Sequence, residues 1–271
     1  MAKKQTSDGR ISLWGDFPLP DNEERQWEVG PFRLHYKISG NELWTEYSRQ
    51  NSKEGSNKPA QSAENTSWSR FALRHGYAKI RILPVLPDRA VVVKPETAFW
   101  ISKGAKSRVY VRVPVWVQMR LMGRQPVTIL DVSTVVLSNT WFGGFMQGEL
   151  SYWISSSARV DILPDPSRPH MAICPIQIIN NSNSDLLVEK IGLRVPYLSL
   201  FYDSGQLWSD EMKISYRGGE AVSSLSVSGI VPPELPGGKL ISAPRDHMKK
   251  NFAAKTFSSI KDLPGLGIFS N

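Results

Sequence analysis

Cysteine is nearly missing from this chain of 271 residues, where Cys174 stands alone. A lone thiol excludes an intrachain disulfide and a zinc site built from the cysteines of one chain, and it suits a reducing compartment. Long apolar runs are missing too. No stretch approaches the roughly 18 to 20 consecutive apolar residues that a membrane-spanning helix needs, and the opening MAKKQTSD leads into no apolar signal segment. These absences predict a cytoplasmic protein that is not an integral membrane protein. Acidic residues are the minority charge, with 25 Asp and Glu against 33 Lys and Arg and a formal balance of +8. Such an excess favours polyanions or anionic membrane surfaces as partners, although a charge of this size also serves solubility. Six Lys or Arg against Asp246 alone lie between Lys239 and Lys261, so the tail holds much of the excess.

What is present is alternation. At 41% hydrophobic residues the chain can bury a sizeable core, and its apolar residues recur every second position, which is the strand period. In PFRLHYKIS, Phe32, Leu34, Tyr36 and Ile38 share one face while Arg33, His35 and Lys37 share the other. In RVYVRVPVWVQMRL the odd-numbered residues from Val109 to Leu121 are all apolar, opposite Arg112, Trp116, Gln118 and Arg120. Pro114 cannot donate to a ladder, which places this strand at an edge or a bulge. Further short runs separated by turn residues, without helical patterns between them, predict an all-β fold of antiparallel, β-sandwich-like sheets.

Residues 193–208, LRVPYLSLFYDSGQLW, keep one alternating phase through Tyr197 and the opposite one from Leu198. A phase slip beside Pro196 reads as a β-bulge, and Asp203-Ser204-Gly205 reads as the turn of a hairpin. The stretch is expected to be core. Residues 50–67 contain no large apolar side chain and read as a mobile insertion. After VPPELPGG, a weak helical pattern begins near Asp246 and predicts a short C-terminal helix. The domain reading is a tail over 1–10, a single all-β domain over 11–235 with a subdivision, if any, near 164–169, and a basic, partly helical segment over 236–271.

Motifs for chemistry are scarce. His35, His75, His170 and His247 lie far apart and none has a second ligand at metal-binding spacing. Cys174 sits among apolar neighbours in MAICPIQII, where a thiol is a small buried hydrophobe. FGGFMQG at 142–148 lacks the Gly-Lys-Ser/Thr ending of a phosphate loop and reads as a glycine-rich turn between strands. Asp210 and Glu211, next to each other after the hairpin, read as solvated carboxylates. No cofactor, metal or catalytic residue is indicated. Of nine tryptophans, most are expected in the core, with Trp116 and Trp44 as exceptions. The candidate partner-binding residues are Arg112, Trp116 and Arg120 on one polar face, with Lys249, Lys250 and Lys255 in the tail.

WGDFPLP near the start, NNSNSDLLVEKIGLRVPYLSLFYDSGQLW at 180–208 and ISAPRD…TFSSI near the end resemble, in that order, the prokaryotic domain-of-unknown-function family 432. The resemblance implies a prokaryotic protein and carries over no catalytic residue. Some relatives occur near small mechanosensitive channels, which implies a partner in a membrane-associated assembly. The function expected is therefore a non-catalytic β-sandwich binding or interaction module with another protein as partner. The alternatives are a nucleic-acid or anionic-lipid binder acting through its basic surface, and a carbohydrate-active or carbohydrate-binding protein.

Overall fold

The computed structural model describes residues 4–5, 11–19, 23–50, 67–73, 77, 79–143, 146, 148–155, 160, 165–218, 223–248, 253–254 and 256–257. Among them the chain forms β1 (Lys4–Gln5), β2 (Ile11–Ser12), β3 (Gly15–Pro18), β4 (Glu24–Val29), β5 (Phe32–Ser39), β6 (Glu42–Arg49), β7 (Ser69–Ala72) and β8 (Lys79–Val85). There follow β9 (Val91–Lys94), β10 (Phe99–Ile101), β11 (Lys106–Pro114), β12 (Trp116–Met122), β13 (Val127–Ser133), β14 (Ser138–Phe142), β15 (Glu149–Ser155) and β16 (Met171–Asn180). The last are β17 (Leu186–Val188), β18 (Ile191–Leu193), β19 (Leu200–Asp203), β20 (Gln206–Ser209), β21 (Met212–Tyr216), β22 (Ser223–Val227), β23 (Lys239–Ser242) and β24 (Ala253–Ala254). The all-β expectation holds. Pairing is mostly antiparallel, with β9 parallel to β15, and β16 parallel to β20 and β21.

The chain divides into two compact units. The first comprises Met1–Val85, Val115–Val136 and Ser167–His170, and the second Leu86–Pro114, Leu137–Pro166 and Met171–Asn271. Ser167–His170 thus belong to the first unit, and the boundary between Pro166 and Ser167 falls within the 164–169 segment.

In the first unit, strands in the order β4-β5-β6-β7 make one sheet and β13-β12-β8-β3 another. Alternation decides their inner faces. Trp27, Val29, Phe32, Leu34, Tyr36 and Leu43 are buried on the first sheet, and Ile80, Ile82, Val117, Met119 and Leu121 on the second. An aromatic chain runs through this core, from Trp14 to Trp27 (5.2 Å), Trp27 to Phe32 (6.4 Å) and Phe32 to Tyr47 (5.7 Å). Two hydrogen bonds tie its elements together: Trp27 Nε1 donates to the Leu13 carbonyl (2.9 Å), and Arg49 Nε to the Ser133 carbonyl (2.8 Å). The β4–β5 turn needs glycine at Gly30, where φ is +55° and a Cβ would lie 2.1 Å from His170 Nδ1.

In the second unit, β16 is central. It pairs with β11 along one edge and with β20 and then β21 along the other, within the order β23-β19-β20-β16-β21-β22-β24. A second sheet runs β14-β15-β9-β18, and β10 pairs with β17. Val91, Val92 and Val93 are all buried, as a continuous apolar run in a central strand should be.

The run from Val109 to Leu121 is not one strand. It divides at Val115, with β11 in the second unit and β12 in the first. Val115 donates its N–H to the His170 carbonyl (2.9 Å), and its own carbonyl accepts from Thr134 N–H (3.1 Å) and Thr134 Oγ1 (2.6 Å). Alternation passes unbroken through the switch, because Val113, Val115 and Val117 are all fully buried. β11 has β16 as its single described strand partner, so Pro114 does end an edge strand.

The phase slip at 193–208 also resolves differently from a bulge. A 3-10 turn, Val195–Tyr197, separates β18 from β19, with Pro196 in the turn. β18 pairs with β9 and β19 with β20, so the chain changes sheets there. Proline's fixed φ and missing N–H suit the turn. The hairpin after it is as expected: Asp203 pairs with Gln206, and Ser204 (φ 47°) and Gly205 (φ 86°) both take the positive φ of a type I′ turn. Leu193, Val195, Leu198, Leu200, Phe201, Leu207 and Trp208 are buried, which makes the stretch core.

No described residue of the tail is helical. Ala253–Ala254 pair with Ser223–Ser224, and Phe257 bridges to Ile191 and packs edge-on against Tyr216 (5.7 Å). A weak local pattern yields here to pairing with an existing sheet. Residues 51–66, which make up most of the proposed insertion, lie outside the described residues.

Leu200 has 1% of its surface exposed. Leu200→Ala should therefore lower the unfolding free energy by about 2 to 5 kcal/mol in urea titration, the cost of truncating a buried leucine.

Candidate functional site

The outer face of the β4–β7 sheet collects aromatic and charged side chains in cross-strand rows. Register alone sets the central row. Glu24 lies opposite Lys37, Lys37 opposite Trp44, and Trp44 opposite Arg70, so one residue from each strand stands in line. A second row holds Gln26, His35 and Glu46, and a third Glu28, Arg33 and Ser48. Trp68 immediately precedes β7.

Cations lie over both indoles. Lys37 Nζ is 4.7 Å from the Trp68 ring centroid and 5.9 Å from that of Trp44, and the Arg70 guanidinium is 5.6 Å from Trp44. Such contacts are worth about 0.5 to 1 kcal/mol each at exposed sites. Carboxylates are interleaved with these cations: Glu24 meets His35 Nδ1 at 2.9 Å, Glu42 meets Arg70 Nε at 3.6 Å, and Glu28 meets Arg33 Nε at 3.8 Å. The Trp44 indole N–H is shielded from solvent and has no hydrogen-bond acceptor among the described residues. Buried donors are normally paired.

The nine tryptophans separate clearly. Trp14, Trp27 and Trp208 are core residues, Trp44, Trp68, Trp116 and Trp153 are half-buried, and Trp100 (65% exposed) and Trp141 (49%) face solvent. Sequence reasoning singled out Trp44 because it ends a hairpin arm. It missed Trp68, which has no periodic pattern around it, and also Trp100 and Trp141, whose exposure depends on which strands their sheets leave uncovered.

The residues proposed on the 109–121 run are not brought into one sheet. Arg112 is on β11, opposite Ile173 in the second unit. Trp116 and Arg120 are on β12 in the first unit, with Trp116 between Val85 and Ser133, and Arg120 between Arg81 and Thr128. Both are half-buried. Gln118 between them is buried and donates to Asp131 Oδ2 (2.8 Å). Arg81 is bound to Asp16 through both carboxylate oxygens, with Lys79 adding a third contact, and this holds the Asp16 carboxyl well below the usual carboxylate range. Lys249, Lys250 and Lys255 lie outside the described residues.

Buried ionisable groups offer little for chemistry. Cys174 is fully buried, and burial pushes its thiol up to about 12, so it is not a nucleophile at neutral pH. His170 is held below its ordinary value, first by burial and then by Arg168. Among the described residues no group of three or more His, Cys, Asp or Glu could hold a metal ion.

Asp210 is the main surprise. Expected in solvent, it is 1% exposed. Its carboxylate accepts the Ser199 N–H (2.8 Å) and the Gly229 N–H (2.9 Å). Burial pushes the carboxyl up to about 6 despite those two hydrogen bonds. Pro175 helps explain its position. β16 pairs Ile173 with Trp208 and then Ile176 with Met212, so the partner strand carries one extra residue opposite a proline that cannot donate. Asp210 lies in that bulge. Its neighbour Glu211 instead reaches Arg108 Nη1 at 3.0 Å.

Two all-β units with sandwich-like sheets, and an aromatic, charge-mixed outer face, define an all-β protein in which surface is the feature of interest. The chain belongs to the family described as Protein of unknown function (DUF432), whose family model matches residues 13–261. No curated protein and no solved structure matches it. No helix among the described residues is long and apolar enough to cross a membrane.

Asp210 sets a pH dependence with a definite sign. Its folded value of about 6 lies above its ordinary 3.8. Its contribution to stability is therefore fully present below the ordinary value and is lost as pH rises through about 6. Asp210→Asn removes that titration. The stability difference between wild type and variant should shift by roughly 3 kcal/mol in the variant's favour between about pH 3 and pH 7, measured by urea unfolding.

Proposed function

We propose that this protein is a non-catalytic protein-interaction module of a prokaryotic cytoplasm, and that it engages its partner through the outer face of the β4–β7 sheet. The observation that carries this reading is the placement of Lys37 and Arg70 over the Trp44 and Trp68 rings. Tryptophan and arginine are the residues that most often dominate protein interfaces. Here the aromatic contacts also restrain the long cationic side chains before any partner arrives, which lowers the ordering cost of binding.

Charge argues against the alternatives. Glu24, Glu28, Glu42 and Glu46 share this face with the cations, and a polyanion would meet them as like charges. A sugar would need an open indole face for stacking, and cations already lie over both rings. A protein surface of mixed charge meets these constraints better. The formal +8 balance is the one observation that favours the polyanion reading, and salt separates the two.

Trp44→Ala and Arg70→Ala should each weaken capture of a stoichiometric protein partner from native cells at least about 30-fold, the scale of an interface hot spot. Far-UV circular dichroism of both variants should match the wild type, because neither residue belongs to the core. Capture unchanged in both variants, or tight binding to DNA or anionic vesicles that falls steeply with salt, would overturn the proposal.

A further inference from the structure

Residues directly opposite each other on an antiparallel pair have their Cβ atoms about 4.5 to 5.5 Å apart, and like charges placed there destabilise the sheet. The β3-β8-β12-β13 sheet nevertheless sets Arg120 directly opposite Arg81. Its outer face, away from the buried Phe17, Ile80, Ile82, Met119 and Leu121, carries the row Asp16, Arg81, Arg120 and Thr128 from strand to strand. Lys79 stands on the same face, two residues before Arg81.

Asp16 serves only part of this cluster. Its carboxylate accepts from Arg81 Nε (2.5 Å) and Nη2 (3.0 Å) and meets Lys79 Nζ at 2.5 Å. That pairing takes two of the five N–H groups of Arg81. Asp131, one row along the face, accepts from Gln118 (2.8 Å). Arg120 is left over: its Nε is shielded from solvent and has no hydrogen-bond acceptor among the described residues, whereas buried donors are normally paired. The β12–β13 register shifts between Met119 and Arg120, which makes Ile129 the extra residue of a bulge beside that guanidinium. Bulges re-aim side chains and are common next to sites. The cluster is also within reach of solvent, since the side chains of Lys79 and Arg81 are 44% and 37% exposed.

We propose that Arg120, together with Lys79 and the N–H groups of Arg81 that Asp16 does not use, binds the phosphate group of a small soluble ligand. Three cations share one carboxylate in this row, so the missing component is an anion. Its chemistry follows from the donors. A carboxylate offers two oxygens in one plane, which match a single guanidinium, as Asp16 does on Arg81. A phosphate has further oxygens out of that plane, so one group can accept paired N–H bonds from Arg120 and still reach Arg81 or Lys79. Its size follows from the neighbours. Asp16 on β3 and Asp131 on β13 flank the two arginines, and they would repel a polyanion or an anionic surface laid across all four strands. The site shares no residue with the β4–β7 face and does not depend on it.

Calorimetric titration of the full chain with inorganic phosphate, at an ionic strength held constant with sodium chloride, tests this directly. One phosphate should bind per chain, and more tightly than acetate. Arg120→Gln should weaken binding at least about tenfold, the scale of a lost hydrogen bond to a charged group. Arg120→Lys keeps the charge without the fork and should fall between the two. Thermal unfolding in phosphate-free buffer supplies a second readout: Arg120→Gln should unfold at no lower temperature than the wild type, because it removes a like-charge contact, whereas loss of a merely structural arginine would lower the midpoint. A wild type that binds phosphate no better than acetate would overturn the proposal. So would an Arg120→Gln chain that binds phosphate as the wild type does, or one that unfolds earlier in phosphate-free buffer. Retention on phosphatidylglycerol vesicles that Arg120→Gln abolishes, with no response to free phosphate, would assign the site to a lipid headgroup and overturn the soluble ligand.

Discussion

Backbone hydrogen bonding at Val115 decides which sheet each half of the longest alternating run joins. Before it, β11 forms its ladder with β16, and after it β12 lies between β8 and β13. Every backbone group removed from water must find a partner. Val115 satisfies both of its own outside the ladders, through His170 and Thr134. That arrangement depends in turn on His170 lying under the β4–β5 turn, where only glycine leaves room for its ring. Pro114, Val115, Thr134, His170 and Gly30 therefore act as one set.

The second unit depends on proline in a comparable way. Pro175 leaves β16 without a donor at mid-strand, and the partner strand answers with a one-residue bulge that holds Asp210. A carboxylate taken out of water costs several kcal/mol unless its oxygens are bonded. Asp210 recovers part of that through the N–H groups of Ser199 and Gly229, from loops on either side of the bulge. Its raised pKa measures the part not recovered. The group thus reads as a structural cross-link, and its chemistry is turned inward.

Aromatic residues mark the division between what this protein buries and what it offers. Tryptophans in the two cores meet other rings, as in the Trp14–Trp27 pair and the Tyr110–Trp208 edge contact. Trp44 and Trp68, on the outer face of the β4–β7 sheet, lie under cations instead. The same side-chain type supplies packing area in the first setting and recognition in the second, because its ring gains from any dry contact and its N–H still requires an acceptor.

Strand content and inner faces were legible in the sequence, because side chains alternate with a period of two whatever the strand pairs with. The run at 32–38 is the plainest case: its apolar residues are inside and its polar residues outside. The Ser204-Gly205 turn was legible for the same local reason, since few residues tolerate positive φ. Partner choice was not. Alternation runs from Val109 to Leu121 without a flaw, yet the chain changes sheets at Val115, because hydrogen bonds to residues far along the chain make that choice. The same holds for the slip at Pro196, for Asp210, and for the rows that bring Lys37, Trp44 and Arg70 together across three strands. A sequence specifies which side of a strand each residue takes, whereas only the folded chain decides which strand lies beside it, because pairing energy comes from long-range contacts.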